Sequence, residues 1–260
     1  MPDALINGYA HHWEDAGSGE PLIMVHGAAS SGKTLVPHIP ELSKTYRLII
    51  PDLRGMGRSA RVDSLPPSAW VDDLKALMAH LGLASAHLLG SSLGARIVLR
   101  TALDSPQLAR TLILDAAIIA NEEAGNRALN ERFDVNKVAP DRQEYFRDLH
   151  GDDWATVVVN FFKFRNQPEL QAYFDLREGS KRIMAPTLIM RGDEHDPTHP
   201  LRHSIELREN LADSWLWIRP NAPARLLPSQ PAECYAAIRG FLGAVGERQA
   251  AAPSAGTAHG

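Results

Sequence analysis

The chain has 260 residues, 44% of them hydrophobic and 22% charged, with a formal net charge of −4 at pH 7. That length fits one large domain, or a core with an insertion, and buries enough interior to fold without staples. The balance excludes a disordered chain, and the lack of any long basic block argues against nucleic-acid binding. Its single cysteine, Cys234, permits no internal disulfide and makes a zinc cluster a poor reading, so it is expected as buried filler in a helix. The N-terminal segment lacks a basic region followed by an apolar one, and no apolar run reaches membrane-spanning length. A cytoplasmic protein with no membrane partner is therefore expected, either a monomer or a homo-oligomer.

In chain order, Ala4 to Asp15 reads as a hairpin turning at Asn7-Gly8, a pair that suits tight turns. Pro21 to Val25 is an unbroken apolar run, typical of a strand buried on both faces, and it ends in His26-Gly27-Ala28-Ala29. A similar strand at Tyr46 to Ile50 leads into the loop Asp52-Leu53-Arg54-Gly55-Met56-Gly57-Arg58-Ser59. From Ser68 to Leu81, the positions Trp70, Leu74, Leu77, Met78 and Leu81 recur at helical spacing. The apolar stretch Ala86 to Leu89 then meets a glycine-bracketed turn and a helix through Ile97-Val98-Leu99. A strand at Thr111 to Leu114 carries Asp115 at its end.

Between residues 120 and 182 the strand–helix alternation stops, and the sequence becomes helix-like, charged and aromatic. This segment is expected as a helical lid inserted in a core formed by residues 1–119 and 183–246. The strand pattern resumes at Pro186 to Met190, followed by a helix near Leu201 to Leu211, a strand at Trp215 to Ile218 and a helix from Gln230 to Val245. Residues 247–260, rich in Ala, Gly and Ser, are expected as a mobile tail. Alternating strands and helices imply an α/β fold with a mainly parallel sheet covered on both faces.

Gly90-Ser91-Ser92-Leu93-Gly94 matches G-x-S-x-G between a strand and a helix. A serine hydroxyl becomes a useful nucleophile where the backbone turns sharply and leaves N–H groups at a helix start, and the glycines give room for that turn. Together with HGAAS after the third strand, DLRGMGRS after the fourth, and the late PTLIMRGDEHD leading to SQPAECYAAIRGFL, this motif makes the chain resemble the α/β-hydrolase superfamily over residues 4 to 245. The resemblance implies Ser92 as nucleophile, and the N–H groups of Ala28 and Leu93 as the oxyanion hole. It implies Asp196 as the acid that orients an imidazole, with Asp193 and Asp115 as rivals. Phe162 and Arg165 of the lid, with His26 and Ser91, are the expected substrate contacts. The resemblance implies as substrate a small carboxylic ester, a lactone or a C–C bond beside a ketone, and it calls for no cofactor or metal.

One element of the pattern is missing. Relatives carry a Gly-His pair after the last strand, whereas this chain reads Pro220-Asn221-Ala222-Pro223-Ala224-Arg225, so Ala224 occupies the place of the histidine. An inactivated variant, a member of changed chemistry or a base from elsewhere each account for that. The substitutes in view are His195, His199 and His203 near the acid, and His26 beside the oxyanion loop; each reads first as structural or solvated. Ala224 is expected beside a gap the size of an imidazole between Ser92 and Asp196. A non-catalytic small-molecule binder is the alternative. A remoter one is a P-loop nucleotide-binding protein, because Gly27 to Thr34 matches G-x-x-x-x-G-K-[ST], although Pro37 and Pro40 disfavour the helix that such a loop needs.

Overall fold

The computed structural model describes residues 3–251. Eight strands form one sheet in the order β1-β2-β4-β3-β5-β6-β7-β8. β1 (Asp3–Ile6) and β2 (Tyr9–Ala16) make the hairpin, with Asn7 and Gly8 both at positive φ as a two-residue turn of this kind demands. β2 runs antiparallel to β4 (Tyr46–Pro51), and every later pairing is parallel: β3 (Glu20–Val25), β5 (Ala86–Ser91), β6 (Ala109–Asp115), β7 (Thr187–Gly192) and β8 (Ser214–Arg219).

The unbroken apolar runs are explained by the two-sided cover. Along β3, Ile23 and Val25 point to one layer and Leu22 and Met24 to the other, the alternation that a period of two requires. The first layer holds α2 (Ala69–His80), α3 (Leu93–Asp104) and α9 (Leu201–Asn210); the second holds α1 (Ile39–Leu42) and α10 (Pro231–Ala251). Cys234 is buried in the second layer. α10 runs on through the five residues from Glu247 to Ala251, which were expected to begin the tail; the remainder of that tail lies outside the described residues.

Between β6 and β7 the chain makes α4 (Glu123–Arg132), α5 (Pro140–His150), α6 (Trp154–Arg165), α7 (Pro168–Tyr173) and α8 (Arg177–Ser180). Phe161, Phe164, Leu170 and Phe174 join these helices to the first-layer core, and Phe161 stacks on Trp70 of α2 at 6.2 Å. The connections leave β3 and β5 toward opposite sides of the sheet, so a crevice opens at their carboxyl ends, where ligands bind in open parallel sheets.

Candidate active site

Ser92 stands in that crevice between β5 and α3, with φ 56° and ψ −112°. This left-handed backbone costs on the order of 1–3 kcal/mol for a non-glycine residue and persists only where the surroundings enforce it. Enforcement comes from the Ser92 N–H, which donates to the Asp115 carbonyl at 3.0 Å, and from two close approaches. A Cβ on Gly90 would lie 2.3 Å from Gly94, and one on Gly94 would lie 2.0 Å from the Val25 carbonyl. Both glycines are therefore dictated by packing.

The imidazole expected after β8 comes from before α9. His199 Nε2 lies 2.9 Å from Ser92 Oγ, and His199 Nδ1 lies 2.7 Å from Asp196 Oδ2. The tautomer with hydrogen on Nδ1 satisfies both contacts, donating to the carboxylate and accepting from the serine hydroxyl. Asp196-Pro197-Thr198-His199 is a β-turn closed by the His199 N–H donating to the Asp196 carbonyl at 3.2 Å. Asp at the first turn position and Pro at the second, where φ is already near −65°, favour this geometry and bring the first and fourth side chains together.

Burial acts to raise the Asp196 carboxyl. The hydrogen bond and charge of His199, with the Thr198 hydroxyl and N–H, outweigh it and hold the group well below the ordinary carboxylate range. Thr198 Oγ1 and the Thr198 N–H donate to Asp196 Oδ1 at 2.6 and 2.8 Å. Arg191, at the end of β7 and 1% exposed, donates from Nε and Nη2 to the His199 carbonyl at 3.1 and 2.5 Å, and also to the carbonyls of Gly192 and Glu194. The imidazole thus hangs from a turn anchored at its base.

Ala224 does not border a gap, because the His199 ring already stands between serine and acid. The Ala224 carbonyl accepts from the Gly192 N–H at 3.2 Å, and Gly192 lacks the Cβ that would lie 2.1 Å from the Pro223 carbonyl. The histidine-free loop after β8 is pressed against β7 as backing for the acid turn. Asp115, a rival for the acid, is fully buried in that backing: Oδ1 accepts the Leu226 N–H at 2.8 Å and Oδ2 accepts the Ser91 hydroxyl at 2.9 Å. Burial raises its pKa against the pull of those donors. Asp193 and His195 are exposed.

Three expected substrate contacts lie elsewhere. Ser91 is spent on Asp115. His26 is fully buried, its Nδ1–H donating to the Gly27 carbonyl at 2.9 Å and its Nε2 accepting from the Leu53 N–H at 3.1 Å; burial depresses its pKa and keeps it neutral. It is a strut between the loops after β3 and β4. Phe162 packs on Phe133 at 5.4 Å, away from the cavity, whereas Phe161 and Arg165, four residues apart on α6, share the face that lines it.

That cavity is bordered by Ala28, Ser92 and Leu93, so both expected oxyanion donors belong to residues beside the serine. A Cβ placed on Gly27 would lie 3.5 Å from Ser92 Cβ, an ordinary van der Waals contact, so the loop after β3 runs beside the serine. His203 lines the same cavity and faces Glu122 at 2.9 Å rather than the serine. A second cavity meets Ser92 and His199 from the side of α5.

The P-loop reading fails on local structure. Gly32–Thr34 is a single 3-10 turn, the Gly32 N–H donates to the Asp52 carboxylate at 2.6 Å, and Lys33 pairs with Asp148. An internal carboxylate sits where a phosphate would have to bind.

Comparison with known proteins agrees with the architecture. Residues 20–136 match the family model for the alpha/beta hydrolase fold. A soluble epoxide hydrolase of Corynebacterium sp. is 30% identical over 160 residues, 60% of this chain and 53% of that protein, so the match spans about half of the relative. A 2-hydroxy-6-oxo-2,4-heptadienoate hydrolase of Pseudomonas putida is 25% identical over 82% of this chain and 86% of its own length. Among solved structures, a meta-cleavage product hydrolase from Pseudomonas fluorescens IP01 superposes with a TM-score of 0.76 at 23% identity, covering 94% of this chain and 98% of that one.

Proposed function

This chain belongs to the α/β-hydrolase superfamily, whose hydrolase members it resembles along most of its length, and from that premise we propose that it is a serine-nucleophile hydrolase with a complete catalytic relay. The observation that carries the reading is the continuous chain from Ser92 Oγ through His199 to Asp196, at 2.9 and 2.7 Å, on a serine held at φ 56°. A serine abandoned by function has no need of a strained backbone aimed at an imidazole.

The chemistry proceeds in two balanced halves. Ser92 Oγ attacks the acyl carbon as its proton passes to His199 Nε2, and the carbonyl oxygen takes the electron pair against the N–H groups of Ala28 and Leu93. Collapse breaks the bond to the leaving group, which takes the proton from His199. Water then gives a proton to His199 Nε2 and attacks the acyl–Ser92 ester, and the second collapse returns the proton to Ser92 and frees the acid. Asp196 stays ionised throughout, fixing the tautomer and stabilising the imidazolium.

The helices of residues 120–182 act as the lid that closes the cavity, with Trp70, Leu129, Phe161 and Phe174 supplying an apolar lining for a small acyl substrate. Esters and lactones suit this machinery. The test is covalent labelling with a fluorophosphonate, together with turnover of p-nitrophenyl butyrate. Both are expected in the native chain and absent from Ser92→Ala, and turnover that survives in Ser92→Ala rejects the reading.

A further inference from the structure

The cavity at Ser92 carries two arginines deep in its wall. Arg96 is four residues beyond Ser92 on α3, one turn or about 6 Å along the helix axis, and therefore on the same face as the serine. Arg165 faces it from α6. They are 6% and 9% exposed, and both line the cavity.

Their partners are neutral. Arg96 donates from Nη1 to Asn121 Oδ1 at 2.7 Å and from Nη2 to the Phe174 carbonyl at 2.5 Å, while its buried Nε has no partner among the described residues. Arg165 donates to Asn126 Oδ1 at 2.5 Å and Asn166 Oδ1 at 3.3 Å. Neither meets a carboxylate among the described residues. Asp175, the acid felt by Arg96, is itself paired with Arg177, and Glu122 on the cavity wall is engaged by Arg202 and His203. Burial, and then the charge of Arg165, push the Arg96 guanidinium down to about 9.

Burying a cation without a counter-charge costs several kcal/mol, and two facing each other cost more. Tethering α3 and α6 to their neighbours does not require that expense, since a neutral amide makes the same bonds. The missing element is an anion. A planar carboxylate matches the guanidinium fork and can take the idle Nε–H of Arg96. Asn121 and Asn126, which also line the cavity, add amide donors. The second cavity is edged by Arg132, Arg142 and Arg225, none of which lines the cavity that holds this pair.

We propose that Arg96 and Arg165 form a subsite for a carboxylate borne by the substrate, making this chain a hydrolase of short acyl compounds that carry a free acid group a few carbons from the reacting carbonyl. The proposal rests on the serine-hydrolase reading above and narrows its substrate class. The apolar wall of Trp70, Phe161 and Phe174 accommodates the carbon chain between the two ends.

The test compares kcat/KM for mono-p-nitrophenyl glutarate with that for p-nitrophenyl valerate, which has the same number of acyl carbons but no charge. The native chain is expected to prefer the glutarate ester by about 10-fold or more, the scale of one charge-assisted contact. Arg165→Met and Arg96→Met are expected to bring the ratio near one, and Arg165→Lys to keep part of it. Arg142→Met, on the other cavity, leaves the ratio within about two-fold. Turnover of both esters without preference, or a preference lost in Arg142→Met and kept in Arg165→Met, overturns the subsite while leaving the hydrolase reading intact.

A second arm needs no turnover. Glutarate is expected to raise the melting temperature of Ser92→Ala, and to lose that effect when Arg165→Lys is replaced by Arg165→Met in the same background. Stabilisation by inorganic phosphate but not glutarate overturns the carboxylate assignment in favour of a phosphorylated substrate. No stabilisation by either overturns the subsite.

Discussion

Replacing Arg191 by methionine removes the anchor of the acid turn while keeping a side chain of similar reach. Four N–H donations are lost, two of them to the carbonyl of His199 itself, and each bond from a charged donor is worth roughly 1.5–3 kcal/mol. Burial depresses the Arg191 guanidinium and offsets part of that gain, as does the cost of ordering it. A net loss of about 3–5 kcal/mol is expected, roughly 10 °C in Tm for a chain of this size. The turn carries the imidazole, so activity should fall further than stability. Misplacing a catalytic group by about 1 Å costs on the order of 10² in rate. Arg191→Lys is expected to rescue little, since an ammonium cannot span several carbonyls. The assay is p-nitrophenyl butyrate turnover at 20 °C below the variant's own Tm, beside a urea melt. A variant with unchanged Tm and kcat within two-fold of native refutes the reasoning, because the turn would then hold its shape unaided.

Two further outcomes follow from other parts of the site. His150, at the end of α5, accepts the Gly57 N–H at Nδ1 and donates from Nε2 to the Ala29 carbonyl, and burial pushes its pKa from about 6.5 down to about 4. The unfolded chain therefore binds a proton that the folded chain refuses between those values, so this contribution is full above pH 6.5 and disappears as pH falls toward 4. Urea melts should show a loss of about 3 kcal/mol from this group over that window, absent from His150→Gln; equal slopes in both proteins contradict it. Ala224→His, which would repair a vacant base, is expected to give no rise in ester turnover if His199, which stands between Ser92 and Asp196, is the base as proposed; a gain of 10-fold or more shows that the relay is incomplete.

The central strands were legible because they are buried on both faces and therefore read as apolar runs ending in turn residues, as Pro21 to Val25 and Thr187 to Met190 do. The elbow was legible because Gly90 and Gly94 are forced by backbone contacts that no other residue permits. The histidine was harder. A base is recognised by where the chain places it in space, and the family habit looks after β8, whereas here a turn of four residues folds His199 back onto its own acid. Asp-Pro at 196–197 was the available signal, since that pair starts a β-turn and a β-turn joins its first and fourth residues. Arg96 carried a similar signal, one helical turn from Ser92, but a buried arginine is indistinguishable in sequence from an exposed one until the opposing helix is known. Phe162 and Phe161 differ by a rotation of about 100° on α6, and only packing decides which faces the cavity.

The account depends most on His199 being the base. Single-turnover and steady-state hydrolysis of p-nitrophenyl butyrate by His199→Ala, with folding verified by its melting curve, measures this directly. General-base catalysis is typically worth 10² to 10⁴, so the account predicts a fall in kcat of about 10³-fold or more, with fluorophosphonate labelling of Ser92 slowed in parallel. A His199→Ala protein that keeps kcat and labelling within about five-fold of native contradicts it, and would move the base to another residue.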